Sequence, residues 1–142
     1  MPPAEATASA RVDAPGPEVR FALCLPRAPA ATGDARHVIR RRLGELLAED
    51  ELDDVLLVVT ELVANALLHG RGEITLQIAF DGRRVSGLVG DDGAGFLAAA
   101  RAPGNRSYGG YGLEIVERLS ESWGHADGSS DVTFEIAAGR RR

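Results

Sequence analysis

The chain has no lysine. All sixteen of its basic residues are arginine. That removes a phosphate-loop lysine, a protein-kinase strand lysine and any Schiff-base lysine. There is one cysteine, Cys24, so no intrachain disulfide can form. With only that thiol and three scattered histidines, His37, His69 and His125, the chain has too few ligands for a structural zinc site. Cys24 lies in the apolar run FALCL and reads as a packed strand residue, not a nucleophile. No apolar stretch approaches about 18 residues, which argues against a membrane span. The first twenty residues, MPPAEATASARVDAPGPEVR, lack a basic start and an apolar core, so they do not read as a secretory signal. Their Pro, Ala and Ser content predicts a disordered leader over 1–20. The default location is the cytoplasm.

What remains is an ordinary globular composition. A 44% hydrophobic fraction and a net charge of −5 suit one folded domain of 142 residues. The mild acidity gives no reason to expect direct nucleic-acid or membrane binding. Arg140–Arg142 belong to a short solvated tail, 139–142, which leaves 21–138 as the folded part.

Phe21–Leu25 reads as a strand stopped by Pro26. From Asp34 to Ala48, apolar Ile39, Leu43, Leu46 and Leu47 recur at helical spacing, with Arg36, Arg40 and Arg41 mainly on other faces. The acidic cluster Glu49–Asp54 ends that helix and starts another, with Asp50 as its N-cap. The second helix runs from about Leu52 to His69 and stops at Gly70. Glu73–Phe80 alternates at strand period, Asp81-Gly82 marks a hairpin, and Arg84–Gly90 returns with Val85, Gly87 and Val89 on one face. Residues 97–108 look like a loop. The segment from Gly109 starts glycine-rich and becomes helical near Leu113, with Ile115, Val116 and Leu119 inward. Two strands close the chain, Ser122–Ala126 and Val132–Ala137. Hairpin-linked strands with helices on one face make an α+β two-layer sandwich: a mixed, mostly antiparallel sheet covered on one side by helices.

The run ELVANALLHG, Glu61–Gly70, is the most informative. Glu61, Asn65 and His69 each sit about 40° further round a helix than the one before and share a face. Leu62, Val63, Ala66 and Leu67 fill much of the rest, so the helix is mostly buried. Polar groups on such a helix need partners or face a cavity. A carboxylate beside a carboxamide is a suitable oxygen set for Mg²⁺. The plain alternative is a solvent-exposed polar stripe.

Three motifs then stand in order: E-x-x-x-N on a helix, D-x-G-x-G after a strand (Asp91, Gly93, Gly95), and G-x-G-L opening a helix (Gly110, Gly112, Leu113). Together they resemble the N box and glycine boxes of the GHKL, or Bergerat-fold, ATPases, over roughly Phe21 to Ile136. The short domain and the LLVVTELVANALLHG run look like the anti-sigma-factor serine/threonine kinase branch, RsbW-like. The resemblance implies a histidine-kinase-like ATPase fold with ATP and Mg²⁺ as cofactors. Asp91 would accept a hydrogen bond from the adenine amine, worth about 1.5–3 kcal/mol for a charged acceptor. Gly93 and Gly95 would let the backbone approach the purine. Gly109, Gly110 and Gly112, preceding a helix, would bind phosphate through amides and helix dipole without any lysine. Leu113 completes that nucleotide-binding set. Asn65 matches the Mg²⁺ ligand, Glu61 the general base, and His69 a recurrent residue with either a phosphate or a helix-end role. Residues 97–108 correspond to a nucleotide lid, where Arg101 or Arg106 could neutralise the γ-phosphate.

Many relatives carry a G-x-T step near the last strand. Here Ser129-Ser130-Asp131 occupies the place, which puts an Asp where a Thr is expected. The function implied is transfer of the ATP γ-phosphate to a small anti-sigma-factor antagonist protein, with a sigma factor as competing partner. A homodimer is common in that branch. The alternative is a non-catalytic ATP/ADP-binding switch that sequesters a partner.

Overall fold

The computed structural model describes residues 18–93, 106–125 and 129–139. In chain order they form β1 (Val19–Leu25), α1 (Ala31–Leu43), α2 (Glu49–His69), β2 (Ile74–Phe80), β3 (Arg84–Gly90), α3 (Arg106–Leu119), β4 (Ser122–His125) and β5 (Val132–Ala137). The strands make one sheet in the order β1-β2-β3-β5-β4. All four pairings are antiparallel, so no parallel pair occurs among the described residues where a mixed sheet was allowed for. The α+β sandwich is as the pattern of elements predicts.

Period-2 alternation decides which side of the sheet is buried. Ile74, Leu76, Ile78 and Phe80 of β2, Val85 and Val89 of β3, and Val132, Phe134 and Ile136 of β5 all face the helices. Gly87 shares that face opposite Phe134, whose ring takes the space a Cβ would need. From the helices come Ile39 and Leu43 of α1, Val116 of α3 and a long series from α2. The other side of the sheet is open. A cavity of about 780 Å³ lies there, lined by Arg20, Gln77, Leu88, Thr133 and Glu135 among others. It is on the face away from the helices and shares no residue with the motifs.

Several boundaries differ from expectation, each for a local reason. β1 begins at Val19, inside the stretch read as leader, because Val19 and Arg20 pair with Phe80 and Ala79. α1 starts at Ala31 and ends at Leu43; Leu47 is buried from the connection beyond. α2 starts at Glu49 with Ala48 in the N-cap position, not Asp50. Glu51 provides the missing cap: its Oε1 accepts the Ala48 N–H at 2.9 Å and also the Gly139 N–H at 3.2 Å, pinning the end of β5 to the start of α2. Cys24 is in β1 as expected, but exposed on the open face. Phe21, Leu23 and Leu25 take the inward positions, and strand alternation turns Cys24 out.

Candidate functional site

The site gathers where the C-terminus of α2 meets the C-terminus of β3. α2 is amphipathic in the expected sense: Leu62, Val63 and Ala66 are buried, and Asn65 is buried among them with 8% of its surface exposed. Its Nδ2 has no hydrogen-bond partner among the described residues. A buried carboxamide left unpaired costs free energy unless something else completes it. Glu61, one turn earlier, is half-buried. His69 is the last residue of the helix, and burial pushes its imidazole pKa down. The shared stripe is therefore not fully solvated, and the Asn65 Nδ2 on it lacks a partner among the described residues.

Asp91 is the first residue beyond β3, and its carboxylate is held from two sides. Its Oδ1 accepts the Gly93 N–H at 2.6 Å and the Arg71 N–H at 3.3 Å. Its Oδ2 lies against Gly70, where any Cβ would collide with it. A glycine is thus required at the end of α2 for a reason separate from helix termination. Gly72, at φ +67°, brings the next turn against the Asp92 carboxylate. The Asp92 N–H donates to the Arg71 carbonyl at 2.8 Å. Gly93 has Asp91 Oδ1 only 3.0 Å from where its Cβ would stand.

The backbone of Asp91 is fixed by Ser130. The Ser130 hydroxyl accepts the Asp91 N–H at 2.8 Å and donates to the Asp91 carbonyl at 2.7 Å. Ser130 is buried. A hydroxyl thus meets Asp91 one residue before Asp131. Asp131 packs its carboxylate over Gly90, and its N–H donates to the Ser129 hydroxyl at 3.0 Å.

The second glycine box also departs from expectation. Gly109, Gly110 and Gly112 lie inside α3, which begins at Arg106, instead of preceding a helix that starts near Leu113. Within the helix, the amides without an intrahelical acceptor are then those of residues 106–108. Gly109, Gly110 and Gly112 all fall after that open turn. Leu113 packs against the hydrophobic core. Gly95, Arg101 and the rest of the lid up to residue 105 lie outside the described residues, as does the side chain of Arg106.

Sequence reasoning missed Arg27. Its Nη1 donates to the carbonyls of Ala66 and Leu67 at 2.8 and 2.7 Å, and its Nε to the carbonyl of Gly72 at 3.0 Å. An arginine just past a strand-ending proline gives no local signal of that reach.

A cluster of three or more His, Cys, Asp or Glu residues able to hold a metal does not occur among the described residues. The donor set still fits Mg²⁺ carried in by a polyphosphate, since that ion keeps most of its waters and phosphate oxygens and needs one or two protein oxygens. The carboxamide oxygen of Asn65 is an oxygen of the kind Mg²⁺ takes. The anchored Asp91 carboxylate and the glycine-lined backbone beside it fit a purine edge.

An antiparallel sheet backed by helices, with a polar helix stripe meeting an anchored aspartate, defines a nucleotide-binding α+β sandwich of the ATPase type. The profile of the histidine kinase-like ATPase domain matches residues 25–135, and the chain belongs to that family. No curated protein matches the chain in sequence. Twelve chains of solved structures do match in fold. One holds the RsbU and RsbW domains of Rv1364c from Mycobacterium tuberculosis, at 22% identity and a TM-score of 0.60. That match covers 87% of this chain and 32% of the other, so the chain spans about a third of that protein's length. No helix among the described residues is long and apolar enough to cross a membrane.

Proposed function

We propose that the chain is a cytoplasmic, ATP-binding regulatory serine/threonine kinase of the anti-sigma-factor type. It transfers the ATP γ-phosphate to a small antagonist protein and so controls the availability of a sigma factor. The observation that carries this reading is the pairing on α2 of a half-buried carboxylate, Glu61, with a buried carboxamide, Asn65, one turn away. A protein that only binds nucleotide has no need of a base at that position. The family and the RsbW domain in the structural relative support the reading.

In this reading Asp91 accepts the adenine amine, with Gly93 and Gly95 leaving room for the ring. Asn65 holds Mg²⁺ through its carboxamide oxygen. The opening turn of α3, residues 106–108, faces the phosphates with its free amides, and Gly109, Gly110 and Gly112 let the phosphates come close to it. His69 serves the same end of the pocket. Mg²⁺–ATP supplies the transferable phosphoryl group. Glu61 orients the incoming hydroxyl and takes its proton. The alternative is a switch in which ATP or ADP only sets partner affinity.

The test is incubation with γ-labelled ATP and candidate antagonist proteins from the same cell. Wild type is expected to label one of them. Glu61→Ala and Glu61→Gln are expected to lower the rate by about 10²–10⁴ while nucleotide affinity stays within a few-fold. Absence of labelling, with ATP and ADP changing partner affinity unequally, would replace the kinase by the switch. Full activity in Glu61→Ala would remove the role given to Glu61.

A further inference from the structure

Arg27 comes two residues after β1, outside every motif. Its guanidinium nevertheless spans the chain to three backbone carbonyls 39 to 45 residues away: Ala66, Leu67 and Gly72. The first two lie at the end of α2, where the dipole is negative: the Leu67 carbonyl is among the last four of the helix, and the Ala66 carbonyl accepts the Gly70 N–H at 2.9 Å as well as Arg27. Nη2 is buried with no partner among the described residues. A cation held this way, with one donor unsatisfied, is a costly device for stability alone.

The three carbonyls have a common geometry. Ala66 and Leu67 lie before Arg71 in the chain, and Gly72 lies after it. Between them, Arg71 offers its N–H to Asp91 Oδ1 and its carbonyl to the Asp92 N–H. Arg27 therefore grips both flanks of the turn on which the Asp91 carboxylate leans. We infer that Arg27 is a positioning residue of the nucleotide site, acting on Asp91 through the 70–72 turn. This rests on the reading of Asp91 as the adenine acceptor. Arg27 does not touch the nucleotide; it fixes the direction of the carboxylate that does.

The experiment is a double-mutant cycle on ADP affinity by calorimetry, using wild type, Arg27→Gln, Asp91→Asn and the double variant. Arg20→Gln serves as control, an exposed arginine that pairs with Glu18 at 2.7 Å. Arg27→Gln is expected to weaken ADP about tenfold, and to add almost nothing once Asp91 is already Asn, because both act through one carboxylate. A purely structural role gives additive losses. Hydrogen exchange without nucleotide gives a second readout: the Arg71 and Asp92 amides should exchange faster in Arg27→Gln, with β2–β3 amides unchanged. If Arg27→Gln does not fold, Arg27→Lys, which keeps the charge but loses the fork, carries the same comparison. If wild type binds ADP and Asp91→Asn weakens it, yet the folded Arg27 variant binds like wild type or its loss simply adds, this inference is overturned alone. If wild type binds no adenine nucleotide, the reading of the pocket falls and this inference with it.

Discussion

Ser130 holds Asp91 by both polar groups of its backbone, accepting the N–H at 2.8 Å and donating to the carbonyl at 2.7 Å through one hydroxyl. The two residues come from adjacent strands, β3 and β5, just outside the last paired positions. The main chain of Asp91 is thus fixed independently of its carboxylate. Ser130→Ala should cost about 1–3 kcal/mol of stability, since two backbone groups lose a buried partner. Ser130→Thr should keep most of it, because the same hydroxyl is available. Denaturant unfolding of the two variants checks this, and an equal loss in both would show that the hydroxyl is not what holds the strand ends together.

Gly70→Ala tests the close approach of α2 to the pocket. The new Cβ would collide with Asp91 Oδ2 and stand 2.7 Å from the Ala66 carbonyl. The carboxylate is the more movable of the two and swings away, and the backbone at the end of α2 shifts to relieve the Ala66 carbonyl. Adenine nucleotide affinity should drop about ten- to hundredfold, the worth of a charged hydrogen bond. Calorimetry with ADP measures it; an unchanged affinity would mean that Asp91 does not meet the nucleotide.

Much of this arrangement was legible because it is local. The period-2 run Ile74–Phe80, the Asp81-Gly82 turn and the four-residue spacing of Glu61, Asn65 and His69 each declare themselves within ten residues or so. The contacts that assemble the pocket are not local. Ser130 meets Asp91 only because β5 pairs with β3, and a one-residue shift in that register is enough to exchange the roles of Ser130 and Asp131. Arg27 is invisible for the same reason: its partners are fixed by packing, not spacing. The start of α3 was misread because three glycines between 109 and 112 argue against a helix by propensity, and packing through Leu113 and Val116 overrides so weak a preference.

Asn65→Ala should separate stability from function. The wild-type side chain buries an amide end without a partner. Its removal relieves that cost and forfeits little packing, so unfolding free energy should stay within about 1 kcal/mol of wild type or rise. ADP affinity in the presence of Mg²⁺ should fall, and affinity in chelator should change far less, because only an oxygen ligand to the metal is lost. Equal falls under both conditions would show Asn65 acting on the shape of the pocket instead.

The pH dependence of stability should show two separate windows, one from each perturbed side chain. Burial pushes the His69 pKa down. The folded state therefore resists its protonation more than the unfolded chain does, and the contribution is intact above the ordinary histidine value of about 6.5. It is lost as pH falls through the lower folded value. For Asp81, burial raises the carboxyl pKa, but the N–H groups of Arg83 and Arg84 and the charge of Arg84 outweigh it, and the net direction is down. Both N–H groups donate to Oδ1, at 2.8 and 2.9 Å, closing the β2–β3 turn. That contribution persists down to the ordinary aspartate value, about pH 4, and disappears below it. His69→Gln should flatten the decline just below pH 6.5 and leave the acid limb unchanged. Asp81→Ala should lower stability at neutral pH and flatten the acid limb alone. Urea unfolding at half-unit intervals from pH 3 to 8 resolves the two, and a His69→Gln profile parallel to wild type between pH 5 and 7 would show that the imidazole is not held in its neutral form by the fold.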